Sequence, residues 1–530
     1  MIKQNWLKVE IYLLRFVLPL ILLCSWYSAP CYSQHNTQFI DQFFKDNLFN
    51  PQIVKGFQGT GLLPYIESEI DLTHTIRDSS KQYYTLTDIL LKKHLFEIKG
   101  ADFSLNISPI ADLRVGKDLS DTSQRRLFQN TRGIYIEGDL LKQFSFSTSI
   151  YENQGRFAAY QSSFFQSVGE LYTQQASGTY SQQNAVIPGA ARTKPFKIDG
   201  FDYAYATGNI IYRPNKAIHF IAGNTSHFIG DGYRSLLLSD NSVPAPFLRT
   251  VLKATDKIEI NCIRMRLFNL IRRPVSSSVE SYYESKAYSV NYISYKPFKG
   301  LVVSLFEGVI WSRGDSIVSK RVHPLFYSPV PGSALPLLSR NELNYLLGIN
   351  AGYTFFEKYH AYGQLASSNG HFNNPAFQLG IRAYSLAGQR DLMVQAEFNH
   401  VPKGTYNNGN PSLSYSHYNL PLATIQGEAF DEFILRITYE WNRLYVSEKL
   451  VIFNLKEFDA TNWLPIYTSP DKVNGKITHN ALEVGYRFNR KMNLCLFGSW
   501  IFRKDNLSNN PASLIHVGLR TGILNHYNDF

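Results

Sequence analysis

Charge is scarce in this sequence. Asp, Glu, Lys and Arg make up 18% of its 530 residues, against roughly 25% in soluble globular domains. That argues against an ordinary soluble enzyme and against a disordered chain. Long apolar runs are missing too. Beyond residue 33 no stretch supplies the ~18 consecutive apolar residues of a spanning helix, and the mean hydropathy is −0.20, which excludes a helical transporter. Cysteine is rare: of 4 in all, Cys262 and Cys495 are those beyond residue 33. They make neither a disulfide framework nor a cysteine-based zinc site. What is abundant is aromatic, 14% of the chain. Few charges, many aromatics and modest hydropathy fit a membrane β-barrel, whose lipid-facing and lumen-facing residues alternate and average out.

The N-terminus reads as an export signal. Lys3, Lys8 and Arg15 precede an apolar run from Phe16 to Cys24, and the small residues Cys31 and Ser33 stand before a cut at Gln34. This is a secretory signal peptide pattern over residues 1–33. Its removal takes away three positive charges and one negative, so the formal +11 becomes +9. In an exported chain these charges suit a lipid bilayer with its lipopolysaccharide phosphates, or an acidic surface polysaccharide, and not a nucleic acid.

Period-2 alternation recurs along the rest. Phe144, Phe146 and Ile150 alternate with Ser145, Ser147 and Ser149, and Val394, Ala396 and Phe398 with Gln395, Glu397 and Asn399. Such strands carry one apolar and one polar face. Short turns at 138–142, 213–216, 296–300, 355–358, 387–390 and 489–491 alternate with long polar loops near 152–200, 224–256, 312–340, 401–430 and 455–479. Short periplasmic turns and long outer loops characterise outer-membrane barrels. The expected fold is all-β: a closed antiparallel transmembrane barrel of about 16–18 strands over residues 101–530. Walking the strands from Leu301 leaves Phe530 on the periplasmic side. Upstream, strands near 217–223, 257–268 and 287–295 give an odd number between two short turns. The reading preferred is that 224–256 crosses back through the lumen, the alternative being a strand hidden in 271–286. Residues 34–100, with helical spacing over Thr37–Leu48 and Thr85–Phe96, are expected to form a periplasmic helical segment or partial plug.

The most unusual stretch is Gly223–Arg249. Gly230 and Gly232 permit close backbone approach, and Pro244 and Pro246 stiffen the exit. His227, Asp231, Tyr233, Arg234, Ser239, Asp240 and Asn241 are candidates for holding a polar ligand or for plugging the lumen through internal ion pairs. On the wall, Arg382 and Glu397 fall diagonally across one hairpin and are expected to neutralise each other in a lumenal network.

The same stretch carries a family resemblance. The run HFIGDGYRSLLLSDN (227–241), continued by PAPFLR (244–249), resembles the Wzi-type capsule-assembly family of outer-membrane proteins, nearest its RemB-like gliding-motility branch. RVHPLFYSPV (321–330), NYLLGIN (344–350), AYGQL (361–365), QAEFNHV (395–401) and YSHYNLPLATIQGEAFDEF (415–433) agree in order. The resemblance covers most of the mature chain. It implies a cell-surface barrel whose relatives attach or organise surface polysaccharide, or act with motility proteins. Two departures stand out: Pro402-Lys403-Gly404-Thr405 replaces an Arg-Pro-Tyr-type run, and Ala366-Ser367-Ser368-Asn369 replaces an acidic pair.

Enzyme motifs are lacking. Ser368-Asn369-Gly370-His371 superficially matches outer-membrane lipase residues, but there the histidine precedes the serine. No G-x-S-x-G elbow, His-Glu-x-x-His or Walker sequence occurs. Asp431 and Glu432 are adjacent and face opposite sides of a strand, so they make no carboxylate pair. No catalytic residue, metal or cofactor is expected. A general porin is the competing reading.

Overall fold

The alternating segments form wall strands that bury their polar side chains and expose their apolar ones, the inverse of a soluble sheet. In the computed structural model they are β1 (Phe103–Asp118), β2 (Arg126–Leu140), β3 (Phe144–Arg156), β4 (Gly200–Tyr212), β5 (Ile218–Thr225) and β6 (Ala245–Thr255). Then come β7 (Ile258–Arg272), β8 (Tyr283–Tyr295), β9 (Leu301–Ser312), β10 (Leu343–Phe355), β11 (Tyr359–Ser368) and β12 (Ala376–Tyr384). The last are β13 (Leu392–Val401), β14 (Phe430–Trp441), β15 (Leu444–Phe458), β16 (Val473–Asn489), β17 (Leu494–Asp505) and β18 (Ala512–Arg520). Each pairs antiparallel with its neighbour, and β18 pairs with β1 (Leu514↔Asp118 to Arg520↔Asp112), closing an 18-strand barrel. The structure describes residues 36–530 apart from 38–40, 52–53, 55–56, 68–69, 71–93, 122, 124, 142, 174–179, 273–282, 314–320, 341, 370–372, 387–388, 390, 408–409, 459–472, 491, 507–510 and 523–526. The signal pattern over 1–33 lies outside the described residues. No described helix is long and apolar enough to cross a membrane.

Facing follows the alternation. Phe144, Ile381 and Phe398 are exposed on the outside, whereas Ser145, Ser147, Arg382, Gln395 and Glu397 are buried inside. Aromatic residues ring the short-turn end, among them Tyr295, Phe298, Tyr353, Trp441 and Tyr486, as they do at barrel–membrane interfaces.

The parity problem resolves differently from the expectation. The missing wall strand is neither a lumenal crossing nor hidden in 271–286; it is β6, inside the stretch read as a loop. Pro246 obscured it. Proline is tolerated at a strand's first residues, and Pro246 stands there, opposite Asn224. The inward segment is therefore 226–244, and Phe247 and Arg249 belong to the wall.

The C-terminus is a second correction. β18 ends at the short-turn end, where Arg520 pairs with Cys495. Phe530 does not stay there. Its carbonyl accepts from Arg503 Nε (2.9 Å), near the opposite end of β17. Its ring stacks on Phe164 at 4.0 Å, in helix Ala159–Ser167 of the long connection between β3 and β4. The tail has turned back up through the lumen, where it buries Tyr527, Asp529 and Phe530.

At the N-terminus, α1 (Gln42–Leu48) starts at Asp41, whose carboxylate accepts from Phe43 N–H (2.6 Å), an N-cap bond. The expected helix over Thr85–Phe96 falls mostly outside the described residues, and its last residue begins strand Phe96–Lys99, which pairs with β1. The connection after β9 also departs from a free outer loop. Residues 322–338 lie on the outer face of the wall, where Ser328 O accepts from Arg264 Nη2 (2.6 Å) and Glu307 accepts from Gly332 N–H (2.7 Å).

Candidate functional site

Between β5 and β6 the chain leaves the wall and enters the barrel. Phe228 and Ile229 pair with Leu63 and Leu62, so the inward segment and the N-terminal segment share a two-stranded sheet. Gly230 has φ +129°, and a side chain there would collide with Gln364 of β11. Gly232 lets the backbone approach Glu397 of β13 in the same way. Glycine is required at these two positions because there the main chain itself presses against wall polar groups.

Those contacts are dense. Glu397 accepts from the backbone N–H groups of Tyr233 (2.6 Å) and Arg234 (3.1 Å), from Tyr362 Oη (2.8 Å) and from Asn399 Nδ2 (3.0 Å). The Arg234 guanidinium is fully buried, with Nε on Glu432 (3.0 Å) and Nη2 on Asp529 (3.0 Å). Asp529 also accepts from Lys449 Nζ (2.7 Å) and Tyr233 Oη (2.7 Å). Burial alone would raise the Asp529 carboxyl, but Arg234 and Lys449 hold it well below the usual carboxylate range. A buried ion of either sign is costly unless paired and hydrogen-bonded. Here the inward segment, the wall and the tail each supply part of one cluster.

The other candidate residues are held in the same way. Asp231 accepts from or pairs with His360 Nε2 (3.1 Å). Asp240 accepts from Tyr527 Oη (2.9 Å), Asn241 Nδ2 donates to Ala423 O (2.5 Å), and Ser239 N–H donates to Leu422 O (2.7 Å). Leu236, Leu237 and Leu238 are buried, with Tyr406 and Tyr415 hydroxyls donating to the carbonyls of Leu236 (2.8 Å) and Leu237 (2.6 Å). His227 is the exception. Its ring packs edge-on against Phe247 and neither nitrogen makes a hydrogen bond. Burial pushes it down to about 3, with Arg249 adding to the shift, so it is a neutral packing residue.

Arg382 and Glu397 do not neutralise each other. Arg382 lies opposite Gln395, as the register required, but its guanidinium sits over the rings of Phe49 (5.1 Å) and Tyr362 (5.7 Å) and 4.0 Å from Asp46 of α1. Glu397 is already occupied by the inward segment. The partner of Arg382 comes from the N-terminal segment, which hairpin register could not reveal.

Helix α1 lies within the expected helical span Thr37–Leu48, but its lumenal contacts, like those of the tail, are not visible in the sequence. Lys45 donates to Gly232 O (2.6 Å) and lies over the Phe228 ring. Burial, with the nearby Arg382, lowers it from 10.5 to about 7 against the opposing pull of Asp240, Asp231 and Glu397. Asp46 binds Arg436 (2.6 Å). The usable signal was the pair Lys45-Asp46 beside Phe43, Phe44 and Leu48 in one short helix. The last residues carried none, being too few to show periodicity. Beside α1 a cavity of about 410 Å³ remains between the inner elements and the wall, lined by Arg487, Arg520, Glu483, His479 and Tyr233 among others.

The motifs that carry the resemblance are brought together in space. AYGQL and QAEFNHV supply Tyr362, Gln364, Glu397 and Asn399, and the 415–433 run lies along the inward segment through Tyr415, Leu422 and Ala423. The two departures also meet: Ser368 Oγ donates to Gly404 O (3.1 Å). That bond occupies the serine of the lipase-like tetrad, whose Gly370 and His371 lie outside the described residues. Among the described residues no cluster of His, Cys, Asp and Glu could hold a metal ion.

The fold and this filled interior define a closed, internally plugged β-barrel. No protein-family model matches the sequence, and no curated protein does. Solved structures do match. Wzi, an outer-membrane protein involved in group 1 capsule assembly in Escherichia coli and a carbohydrate-binding β-barrel, aligns over 92% of this chain and 100% of its own, with TM-score 0.55 and 10% identity. OpdQ of Pseudomonas aeruginosa aligns over 80% of this chain and 98% of its own, with TM-score 0.41 and 11% identity. A BenF-like porin from Pseudomonas fluorescens covers 79% and 98%, with TM-score 0.41 and 10% identity. The likeness to Wzi is one of fold. The gliding-motility branch finds no support in these comparisons.

Proposed function

We propose that this protein is a non-enzymatic outer-membrane barrel that binds surface polysaccharide and serves as a rigid platform for its assembly or attachment. The carrying observation is the closed ion cluster about Arg234, in which the inward segment, the wall and the tail lock together across the lumen. A diffusion channel has no use for such a cluster, because it obstructs the path that a porin keeps open. The outward apolar surface and the export signal support the outer membrane, with the short turns periplasmic and the long loops outside. The Wzi barrel, described as carbohydrate-binding, has the same fold, which supports a glycan as the ligand class. Residues 34–100 act in this reading as part of the plug, and the membrane partners are the bilayer and lipopolysaccharide. A motility role rests on the sequence resemblance alone.

The test has two arms on the purified full-length protein. Planar-bilayer recording should give no porin-like conductance. Surface polysaccharide prepared from the cells that carry the protein should bind it in detergent. Porin-like conductance without polysaccharide binding would overturn the proposal in favour of a channel.

A further inference from the structure

The wall is not equally tall all round. β4 runs on to Gly200 and β7 to Arg272, but the strands between them stop short. β5 leaves β4 at Asn224↔Gly208, and β6 leaves β7 at Phe247↔Met265. Both stop where the chain turns inward. Short pieces refill the rim: Lys194–Phe196 pairs with residues 200–202 of β4, and Leu171–Tyr172 runs beside Ile271–Arg272 of β7. Between rim and stop, no described strand pairs with residues 203–207 of β4 on the β5 side or with 266–270 of β7 on the β6 side. The result is a lateral notch in the long-loop half of the wall, containing a cavity of about 660 Å³. That size falls within the roughly 300–1,000 Å³ of small-molecule sites.

Its lining is aromatic and held in place. Tyr205 stacks on Tyr151 (4.5 Å, 13° between planes). Tyr283 donates to Glu170 (2.9 Å) and accepts from Arg192 (3.0 Å). Tyr418 stands edge-on to Phe268 and to His417. His417 adds a polar group. Its Nδ1 accepts from Phe268 N–H (2.9 Å), so the proton of the neutral ring is on Nε2. The ring is held from the other side by the Pro244 carbonyl and is fully buried.

We infer that this notch is a saccharide-binding site, taking a short glycan segment whose pyranose faces pack on Tyr205, Tyr283 and Tyr418 and whose hydroxyls meet the polar lining residues Arg192, Lys194 and Asp202. The inference rests on the polysaccharide reading above and names the place where that ligand sits. The ring faces carry the negative lobe of the aromatic quadrupole, which suits the electropositive C–H face of a sugar. A lipid acyl chain would match the aromatic lining but not Arg192, Lys194 and Asp202, which line the same cavity. A peptide strand would find the β7 edge taken, since Phe268 and Leu270 N–H and Phe268 C=O are bonded by His417, Asn419 and Tyr418, and on β4 the Ala206 C=O already accepts from Asn224. The notch opens sideways as well as outward, so the sugar could belong to a free polysaccharide or to the headgroup of a membrane glycolipid.

The test measures binding of two probes to the full-length protein in detergent: surface polysaccharide from the cells that carry it, and their lipopolysaccharide in micelles. Tyr418→Ala removes a ring face, and Ala206→Trp fills the cavity from an exposed wall position without touching a hydrogen bond. Each should weaken binding about tenfold, while the distant, exposed Tyr327→Ala binds as wild type. Heat-modifiable gel mobility verifies that every barrel is folded. Loss of polysaccharide binding in both notch variants supports the inference with a free glycan as source, and the same pattern with lipopolysaccharide alone supports it with a glycolipid. If wild type and notch variants bind polysaccharide equally, the notch inference fails and the polysaccharide reading stands. If wild type binds neither probe, both fail.

Discussion

Arg234 is the shared cation of two buried carboxylates from different parts of the chain. Arg234→Ala leaves Glu432 and Asp529 facing each other without their shared cation. Removing one partner of a buried ion pair costs about 3–5 kcal/mol, and here the cost falls on the seating of the inward segment. Protease accessibility of residues 229–242 under graded urea should rise accordingly. The double variant Arg234→Met, Asp529→Asn, which removes charge from both sides, should recover part of the loss; a double variant as loose as Arg234→Ala would contradict the pairing. Lys45 sets a pH dependence on the same interior. Its value is about 7 when α1 is seated and 10.5 otherwise. Between those limits the released helix holds a proton that the seated one lacks, so seating strengthens as pH rises through that window and weakens as pH falls toward 7. Hydrogen exchange of residues 42–48 between pH 7 and 9, corrected for intrinsic rate, should show increasing protection, and Lys45→Met should remove the trend.

At the scale of elements, the inward segment and the tail are separable from the wall. Replacing 229–242 with a short Gly/Ser linker keeps both β5 and β6, whereas a cut extended to 249 would destroy β6. Deleting 527–530 removes Asp529 and Phe530 without touching β18. The tail-deleted protein should assemble normally and show faster proteolysis of 229–242, since Arg234, Lys449 and Tyr233 lose their common acceptor. The wall itself was legible because period-2 alternation is a local property. Ser145, Gln395 and Glu397 declare their face from their neighbours alone. β6 was not legible because Pro246 was read as a break, although its register places it at a strand's start. The contacts of the tail and of α1 were illegible for another reason. Asp529 and Asp46 find their partners in Arg234 and Arg436, far away in sequence, and no pattern in a few residues encodes such a distance. The inward segment was recognisable because glycines beside charged groups and an apolar Leu run make little sense in solvent.

At the scale of the whole molecule, the question is whether water can pass. The lumenal network obstructs mid-height, where Glu397, Arg234 and Asp529 span from wall to tail, and α1 fills the space beneath Gly232 through Lys45. A cavity of about 410 Å³ lies beside this plug, lined by α1 and Tyr527 on one side and wall residues on the other. The intact protein should therefore hold a planar bilayer closed at neutral pH. The linker variant lacking 229–242 should conduct, because its wall is unchanged and its central obstruction is gone. Tail deletion alone should give brief, intermittent openings, since the inward segment then keeps its Glu397 and Glu432 contacts but loses Asp529. The ordering is the discriminating result: closed for the intact chain, intermittent for the tail deletion, open for the linker variant. An intact barrel that conducts as freely as the linker variant would mean that the inward segment does not seal the lumen, and the platform reading would yield to a channel.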